Sequence, residues 1–197
     1  MSPLDLKPDI DAAKAALSHL EIDDNPTSLK AKSRDFFWYS PVLKARLDHV
    51  VGDFAVAPRS EAEVIEVLRT CFAHNVPVTT RGAGTGNYGQ AMPLAGGCVM
   101  HLKNMDRVKE VAPGRVVCEP GILLKDLDAQ CIARSGQELR MFSSTWATAT
   151  IGGFVAGGSG GVGSCTWGSL RDLGNIIRLR VVTMEAEPRV LEFRGEE

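Results

Sequence analysis

The chain has 197 residues, of which 44% are hydrophobic and 23% charged, and its formal net charge is -2. This length accommodates one ordinary domain or a domain of two small lobes, and the composition is that of a globular protein. The nearly balanced charge gives no indication of nucleic acid or anionic lipid as a partner. No apolar run approaches the roughly 18 residues of a membrane span, so no span is predicted.

Three further features of the sequence argue against a disulfide-rich, a metal-binding and a secreted protein. The five cysteines include no C-x-x-C pair, and the four histidines are widely spaced, so we predict reduced thiols and no metal site. The N-terminus, MSPLDLKPDIDAAKAALSHL, has acids where a secretion signal has bases, and it has no apolar core. A cytoplasmic protein is therefore expected.

Residues 1–45 predict an N-terminal helix followed by an irregular arm. Asp9 or Asp11 can cap a helix over residues 9–20, where apolar side chains recur at helical spacing. The polar segment 21–45 contains the aromatic stretch DFFWYSP, whose first three rings we expect to pack on a larger body. No function is indicated for this arm.

Residues 46–104 predict a first lobe built on a parallel βαβ unit. FAVAP is typical of a short strand, and the helix that follows begins with a capping box formed by Ser60 and Glu63. VPVTTR and GCVMHL predict two further strands. Because ligands bind beyond the carboxyl ends of parallel strands, the glycine-rich loop after VPVTTR is at the position of a ligand site.

Residues 105–197 predict a second lobe. The segments KNMDRVKEV and GRVVCEPG predict two strands joined by a turn, and IIRLRVVTM and RVLEF predict two more. Between these pairs, ILLKDLDAQCIARSG predicts a helix that buries Leu123, Leu127 and Cys131 and ends at Gly136.

The loop TTRGAGTGNYGQAMPLAGG matches the G-x-G-x-x-G spacing at Gly84, Gly86 and Gly89. A Rossmann turn needs a helix after the third glycine, but Pro93 and the pair Gly96–Gly97 prevent one. A P-loop is excluded because no G-K-[ST] follows. Two readings remain: a nest of main-chain amides that binds phosphate, or a wide turn between strands.

A phosphate nest would use several side chains of the loop in addition to its amides. The Thr85 hydroxyl can donate a hydrogen bond, and Asn87 and Gln90 can bond polar atoms of a ligand. Arg81 either contacts the ligand or forms an ion pair that braces the loop.

A second glycine cluster begins at Gly152 and ends at Gly168, and it contains eight glycines. Each costs about 0.5–1 kcal/mol relative to alanine in regular structure, so their density indicates a close approach. A flexible linker is the alternative, but linkers lack apolar stretches such as TIGGFVA. Two glycine-lined walls predict an extended ligand between two lobes, with a diphosphate on one wall and a flat ring on the other.

Four segments in order, RGAGTGNYGQAMP, GGCVMHLKNMDRV, EPGILLKDL and ATIGGFVAGGSGGVGSCTWGSLRD, resemble one known family. They are similar to the FAD-binding domain of the vanillyl-alcohol oxidase / p-cresol methylhydroxylase flavoproteins, in the glycolate oxidase and D-lactate dehydrogenase branch. The resemblance covers about residues 50–190. It implies an α+β, two-lobed FAD-binding domain of the p-cresol methylhydroxylase type, with a small parallel lobe and a larger mixed or antiparallel lobe.

The resemblance also implies the cofactor and its contacts. Non-covalent FAD is expected, because members that link FAD covalently often have histidine where this chain has Thr85. The loop would bind the diphosphate, a Pro-Gly turn would lie near the adenine half, and the second cluster would line the flavin and its ribityl chain. The implied residues are Arg81, Gly82, Ala83, Gly84, Thr85, Gly86, Asn87, Gln90, Pro120, Gly121, Thr145, Thr150, Gly152, Gly153, Ala156 and Gly160.

The activity implied is hydride transfer from a 2-hydroxy acid or related alcohol to flavin N5, with no catalytic residue assigned in this chain. Proteins of this family are much longer, so residues 105–197 are expected to form an incomplete lobe without the substrate domain. Two alternatives stay open: an FAD-carrying or electron-transfer subunit that needs a partner chain, and an inactive FAD-binding fragment. A UDP-sugar enolpyruvyl reductase shares the fold, but has serine where this loop has Thr85.

Overall fold

The computed structural model describes residues 7–158, 160–172 and 174–195. The chain divides into two compact units. The first consists of the residues up to Leu102 together with Val182–Leu191, and the second of Lys103–Val181 together with the residues from Glu192 onward.

The N-terminal segment is helical over most of its length. Helix α1 spans Ile10–Ala16, and Asp9 caps it by accepting a hydrogen bond from the amide of Ala12 at 3.1 Å. The helix at this position is thus confirmed, although it is shorter than residues 9–20.

The prediction of an irregular arm over residues 21–45 is wrong. This segment contains strand β1 (Ile22–Asp23), helix α2 (Pro26–Lys32), a 3-10 turn (Phe37–Tyr39) and helix α3 (Pro41–Leu47). Both helices begin with a capping residue, Asn25 or Ser40, followed by proline at the first helical position. Proline fixes a helical φ there without losing a hydrogen bond, so the capping residue followed by proline marks the start of both helices in the sequence.

The aromatic residues of this segment are not equally buried. Phe37 is fully buried, whereas Phe36 and Trp38 are 39% and 43% exposed. The expected packing is therefore confirmed for Phe37 alone. The main chain here reaches the glycine loop, because the amide of Phe36 donates to the carbonyl of Gly86 at 2.8 Å.

The first unit contains a four-stranded sheet in the order β1-β2-β4-β3. Its other strands are β2 (Phe54–Val56), β3 (Val78–Arg81) and β4 (Cys98–His101). Strands β2 and β3 both run parallel to β4, while β1 is antiparallel to β2. The predicted parallel unit is confirmed, with β4 inserted between the two strands that the crossover helix connects.

That crossover helix, α4 (Glu61–Ala73), begins as predicted. The Ser60 hydroxyl accepts from the amide of Glu63 at 3.2 Å, and the Glu63 carboxylate accepts from the amide of Arg59 at 2.8 Å. The carboxylate thus bonds one residue before the cap, a variant of the capping box. The buried face of α4 consists of Val64, Val67, Leu68 and Cys71.

The second unit contains the predicted antiparallel pair β5 (Val108–Ala112) and β6 (Arg115–Cys118). Helix α5 (Leu124–Ser135) ends at Gly136, whose φ is +67°. The helix starts two residues later than the segment ILLKDLDAQCIARSG suggested. Its inward stripe is therefore Leu124, Leu127 and Cys131, and the expectation for Leu123, which is the N-cap, is wrong.

Two short helices, α6 (Ile151–Ala156) and α7 (Ser164–Trp167), lie in the second glycine cluster. Phe154 of α6 packs into a core with Leu124, Met141, Ala149 and Leu170. The last predicted strands, β7 (Arg178–Val182) and β8 (Val190–Arg194), form a two-stranded sheet. Among the described residues, no helix combines the length and the apolar character of a membrane span.

Candidate functional site

The first glycine loop, residues 81–90, leaves the carboxyl end of β3. Gly84 and Gly89 have φ values of +71° and +80°, in the left-handed region. Within the described part of the chain, the amides of residues 83–87 donate no hydrogen bond. Unused amides in a segment with left-handed turns provide the donors that a main-chain anion nest requires. Of the two alternatives for this loop, the geometry therefore favours the phosphate-binding nest over the wide turn between strands.

Arg81 braces this loop from inside the protein. Its side chain is 8% exposed, and its two terminal nitrogens donate to the carbonyls of Arg34 and Ala83, the latter at 3.3 Å. The guanidinium lies so close to Gly84 that an added Cβ would come within 3.0 Å of it. Burial lowers the pKa of Arg81, and the nearby charge of Asp35 opposes that shift.

A third nitrogen of the Arg81 guanidinium, Nε, is available as a hydrogen-bond donor. This nitrogen is buried and has no hydrogen-bond partner among the described residues. A buried, unpaired guanidinium nitrogen is costly unless a polar group reaches it. Its bracing contacts are thus observed, while its contact with FAD stays a prediction.

The remaining loop side chains differ in availability. Asn87 and Gln90 are exposed, and Thr85 is half-buried. The Gln90 side-chain oxygen accepts from the amide of Tyr88 at 3.1 Å, so it stabilises the loop itself. Its free amide group is the part that can still bond a ligand.

The Pro120–Gly121 turn is part of the hydrogen-bonded framework of the second unit. The Gly121 amide donates to the carbonyl of Met105 at 2.7 Å, and the Gly152 amide donates to that of Pro120 at 2.9 Å. A Cβ at Gly152 would lie 2.6 Å from the Pro120 Cβ. Packing on this turn thus requires glycine at position 152 whether or not a ligand binds there.

A buried carboxylate supports the same turn. Glu119 is 3% exposed, and it accepts hydrogen bonds from the amide, Nε and terminal nitrogen of Arg107 at 3.0–3.1 Å. Burial alone would raise the pKa of Glu119, but the hydrogen bonds and charge of Arg107 outweigh it, so its pKa lies below the ordinary value. The ionised form is therefore stabilised in the folded state.

The Glu119→Gln substitution is expected to lower the free energy of unfolding at pH 7 by about 1.5–3 kcal/mol, the usual contribution of hydrogen bonds to a charged group. A group with a depressed folded-state pKa stabilises the protein above its unfolded-state pKa, and this contribution is lost as pH falls. The difference between variant and wild type should therefore shrink below about pH 4. Urea unfolding at pH 7 and at the lowest pH that both proteins tolerate measures it, and a constant difference would contradict the assignment.

The start of the second glycine cluster is held by two threonines. Thr150 is 4% exposed, and its hydroxyl caps α6 by accepting from the Gly153 amide at 3.3 Å. The Thr145 hydroxyl shares a hydrogen bond with that of Ser143 at 3.1 Å. Both hydroxyls therefore organise the chain before and at the start of α6.

Four glycines of this cluster form two groups. Gly161 and Gly163 have φ values of +109° and +94°, and a Cβ on either would overlap the main chain of residues 140–142. Gly153 and Gly160 are exposed and have no main-chain atom near their Cβ positions. Together with exposed Ala156, the second group leaves part of the segment free of large side chains. The linker alternative is wrong, because α6, α7 and a bridge between Phe142 and Val162 give the segment regular structure.

A metal is not indicated in either unit: the described residues contain no group of three or more His, Cys, Asp or Glu side chains that could hold one. Residues 52–192 match the model of the FAD binding domain. The chain belongs to this family. The predicted resemblance is therefore confirmed.

Two curated relatives of this FAD-binding domain carry the names of enzymes. Glycolate oxidase subunit GlcD of Bacillus subtilis is 31% identical over 132 residues, which cover 66% of this chain and 27% of that protein. D-lactate dehydrogenase of Archaeoglobus fulgidus is 32% identical over 142 residues, which cover 72% of this chain and 31% of that protein. The matched part of this chain thus spans less than a third of either relative.

Solved structures share the fold of the domain. An alkyldihydroxyacetonephosphate synthase superposes with a TM-score of 0.77 at 19% identity, over 98% of this chain and 37% of that one. The Physcomitrella patens BBE-like 1 variant D396N gives a TM-score of 0.72 at 15% identity, over 93% and 38%. The predicted α+β fold of the p-cresol methylhydroxylase type is therefore confirmed.

Proposed function

We propose that this domain binds FAD without a covalent link and is the FAD-binding part of an oxidoreductase for a 2-hydroxy acid or related alcohol. The observation that carries the proposal is the row of amides at residues 83–87 that donate no hydrogen bond to any described residue, in a loop that the buried Arg81 side chain braces. Family membership supports FAD as the ligand. Two relatives, named a glycolate oxidase subunit and a D-lactate dehydrogenase, support the substrate class.

In this proposal the amides of residues 82–86 bind the diphosphate, those of residues 83–86 being among the amides that donate no hydrogen bond to a described residue, and the Thr85 hydroxyl adds a donor. Threonine has no ring nitrogen that could attach to the flavin, so attachment at this position is excluded. Asn87 and the free amide group of Gln90 bond polar atoms beyond the phosphates. When bound, FAD supplies the redox chemistry by accepting a hydride at N5.

The second unit contributes the other proposed contacts. Exposed Gly153, Ala156 and Gly160 are the strongest of these, because a ligand can approach them closely. Thr150 and Gly152 already serve the packing of their own unit, which makes them weaker candidates. The others are Pro120, Gly121 and Thr145. The substrate-binding and proton-accepting groups are not assigned to this chain.

We also propose a partner subunit or electron acceptor for this domain. Two of its relatives are named subunits of glycolate oxidase, which supports a partner chain. A cytoplasmic location remains part of the proposal, and the five free cysteines, three of them buried, support a reducing compartment.

The experiment that tests the proposal is a flavin assay on the purified chain. We expect absorbance between about 350 and 500 nm and FAD in the supernatant after acid precipitation. Flavin that stays in the pellet would contradict non-covalent binding, and a chain that takes up no FAD would contradict the proposal as a whole. Anaerobic bleaching by glycolate or D-lactate then tests the substrate class, and bleaching only after a partner is added supports the subunit alternative.

Substitutions at the neighbouring residues Gly152 and Gly153 distinguish a packing role from a role in ligand contact. The Gly152→Ala variant is expected to unfold more easily, because its Cβ would overlap Pro120. The Gly153→Ala variant should lose little stability, because its Cβ meets only the Thr150 hydroxyl, at 3.1 Å, and the helix propensity of alanine, about 1 kcal/mol, offsets a small shift of that hydroxyl. We expect Gly153→Ala to weaken FAD binding nevertheless. Thermal melting and FAD titration of both variants measure these effects, and unchanged affinity in Gly153→Ala would remove this residue from the proposed contacts.

A further inference from the structure

The segment of residues 33–37 contacts the glycine loop, although it lies before residues 52–192, which match the family model. The Phe36 amide donates to the Gly86 carbonyl at 2.8 Å. The Arg34 carbonyl accepts from the Arg81 guanidinium. These bonds join an N-terminal segment to Arg81, which precedes residues 83–87, and to Gly86, which lies among them.

Asp35 is at the centre of these contacts. It is 5% exposed, and its two carboxylate oxygens accept hydrogen bonds from different main-chain amides. Oδ1 accepts from Phe37 at 2.8 Å, within the segment, and Oδ2 accepts from Gly89 at 2.9 Å, at the end of the loop. One side chain thereby connects the segment to the loop.

A carboxylate beside a phosphate-binding loop is unexpected as a ligand contact, because two anions repel each other. Both Asp35 oxygens are used on amides, and the buried Arg81 guanidinium provides a balancing positive charge nearby. The pair therefore lets a carboxylate occupy this position while the loop remains able to take an anion. Asp35 is suited to hold the loop, and it is unsuited to bind the cofactor.

We infer that Asp35 is a positioning residue for the diphosphate of the cofactor. By fixing Gly89 it keeps the preceding turn in shape, so that the amides of residues 83–87 remain directed away from internal acceptors. The residues that support the binding loop then include an N-terminal segment outside the matched family domain. This inference rests on the proposed FAD binding.

Ser33 offers a matched control in the same segment. It is fully buried, and its hydroxyl accepts from the Gly52 amide at 3.0 Å. Gly52 precedes β2, at the amino edge of the parallel strands, whereas the glycine loop follows β3 at their carboxyl edge. The Ser33→Ala variant thus loses a buried side-chain-to-amide bond of the same segment without touching the loop.

The test measures FAD and ADP dissociation constants of the purified chain, together with thermal stability, for Asp35→Ala, Asp35→Asn and Ser33→Ala. ADP is included because it contains the diphosphate without the flavin. We expect Asp35→Ala to raise the dissociation constants of both ligands by about tenfold or more. This is the effect of losing a hydrogen bond to a charged group. Asp35→Asn keeps one acceptor oxygen, so it should recover part of the affinity. Ser33→Ala should lose stability and bind both ligands within about twofold of wild type.

The outcomes separate this inference from the proposed function. Wild-type protein that binds neither FAD nor ADP would overturn both. Wild type that binds them, with equal losses in Asp35→Ala and Ser33→Ala or no recovery in Asp35→Asn, would overturn the positioning role alone. If Asp35→Ala does not fold, the comparison of Asp35→Asn with Ser33→Ala decides in the same way.

Discussion

Replacing Gly84 with alanine should reduce FAD affinity by at least about tenfold, the largest binding effect that we expect from one methyl group. Gly84 has a φ of +71°, which costs an L-residue about 1–2 kcal/mol. Its added Cβ would also overlap the Arg81 guanidinium. This group is buried and bonded to two carbonyls, so it cannot move without releasing the loop.

Quenching of flavin fluorescence during titration measures this affinity. The Gly114→Ala variant is the matched control, because its φ is +76° but no atom lies within 4 Å of its Cβ position. Its free energy of unfolding should fall by the cost of the backbone strain, and its FAD affinity should equal that of wild type. Wild-type affinity in Gly84→Ala, or an equal loss in Gly114→Ala, would contradict the role of the loop.

The second large effect is expected from Gly97→Ala, which should lower the free energy of unfolding by about 3 kcal/mol or more. The φ of Gly97 is +76°, and its Cβ would come within 3.0 Å of the Pro77 carbonyl oxygen. That oxygen accepts the amide of Cys98 at 2.8 Å, the bond with which the pairing of β3 and β4 begins. Relief of the overlap therefore requires the two strands to separate at their start.

Urea unfolding compares Gly97→Ala with the Gly114→Ala control, which has the same φ of +76° and open space around its Cβ. The control should lose only the strain of about 1–2 kcal/mol. The difference between the two variants isolates the overlap with the main chain. Equal losses would show that β3 and β4 can adjust without cost.

Strong local signals explain why much of the fold could be predicted. The α4 cap at Ser60 and the stop of α5 at Gly136 are encoded by neighbouring residues. The insertion of β4 between β2 and β3 is not encoded locally, because it depends on packing between segments distant in the chain. The short helices α2 and α3 have little apolar periodicity, so their proline-marked starts were the only local sign of them.

The sequence indicated two glycine-rich segments as candidate ligand contacts, but it did not indicate the structural reason for each glycine. Gly152, Gly161 and Gly163 meet protein atoms of their own unit, and a sequence cannot distinguish this from space kept for a ligand. Asp35 was missed because it is 54 residues from the amide that it accepts. A lone aspartate in a polar stretch resembles a solvated surface residue until the structure shows it buried.

The most direct test of the main claim follows the backbone amides of the loop by NMR while ADP is added to the isotope-labelled chain. If those amides bind the diphosphate, the signals of residues 83–87 should move together and saturate at one dissociation constant. The control is adenosine, which lacks phosphate and should leave these signals in place. Signals of residues 83–87 that stay fixed while ADP shifts amides elsewhere would contradict the account.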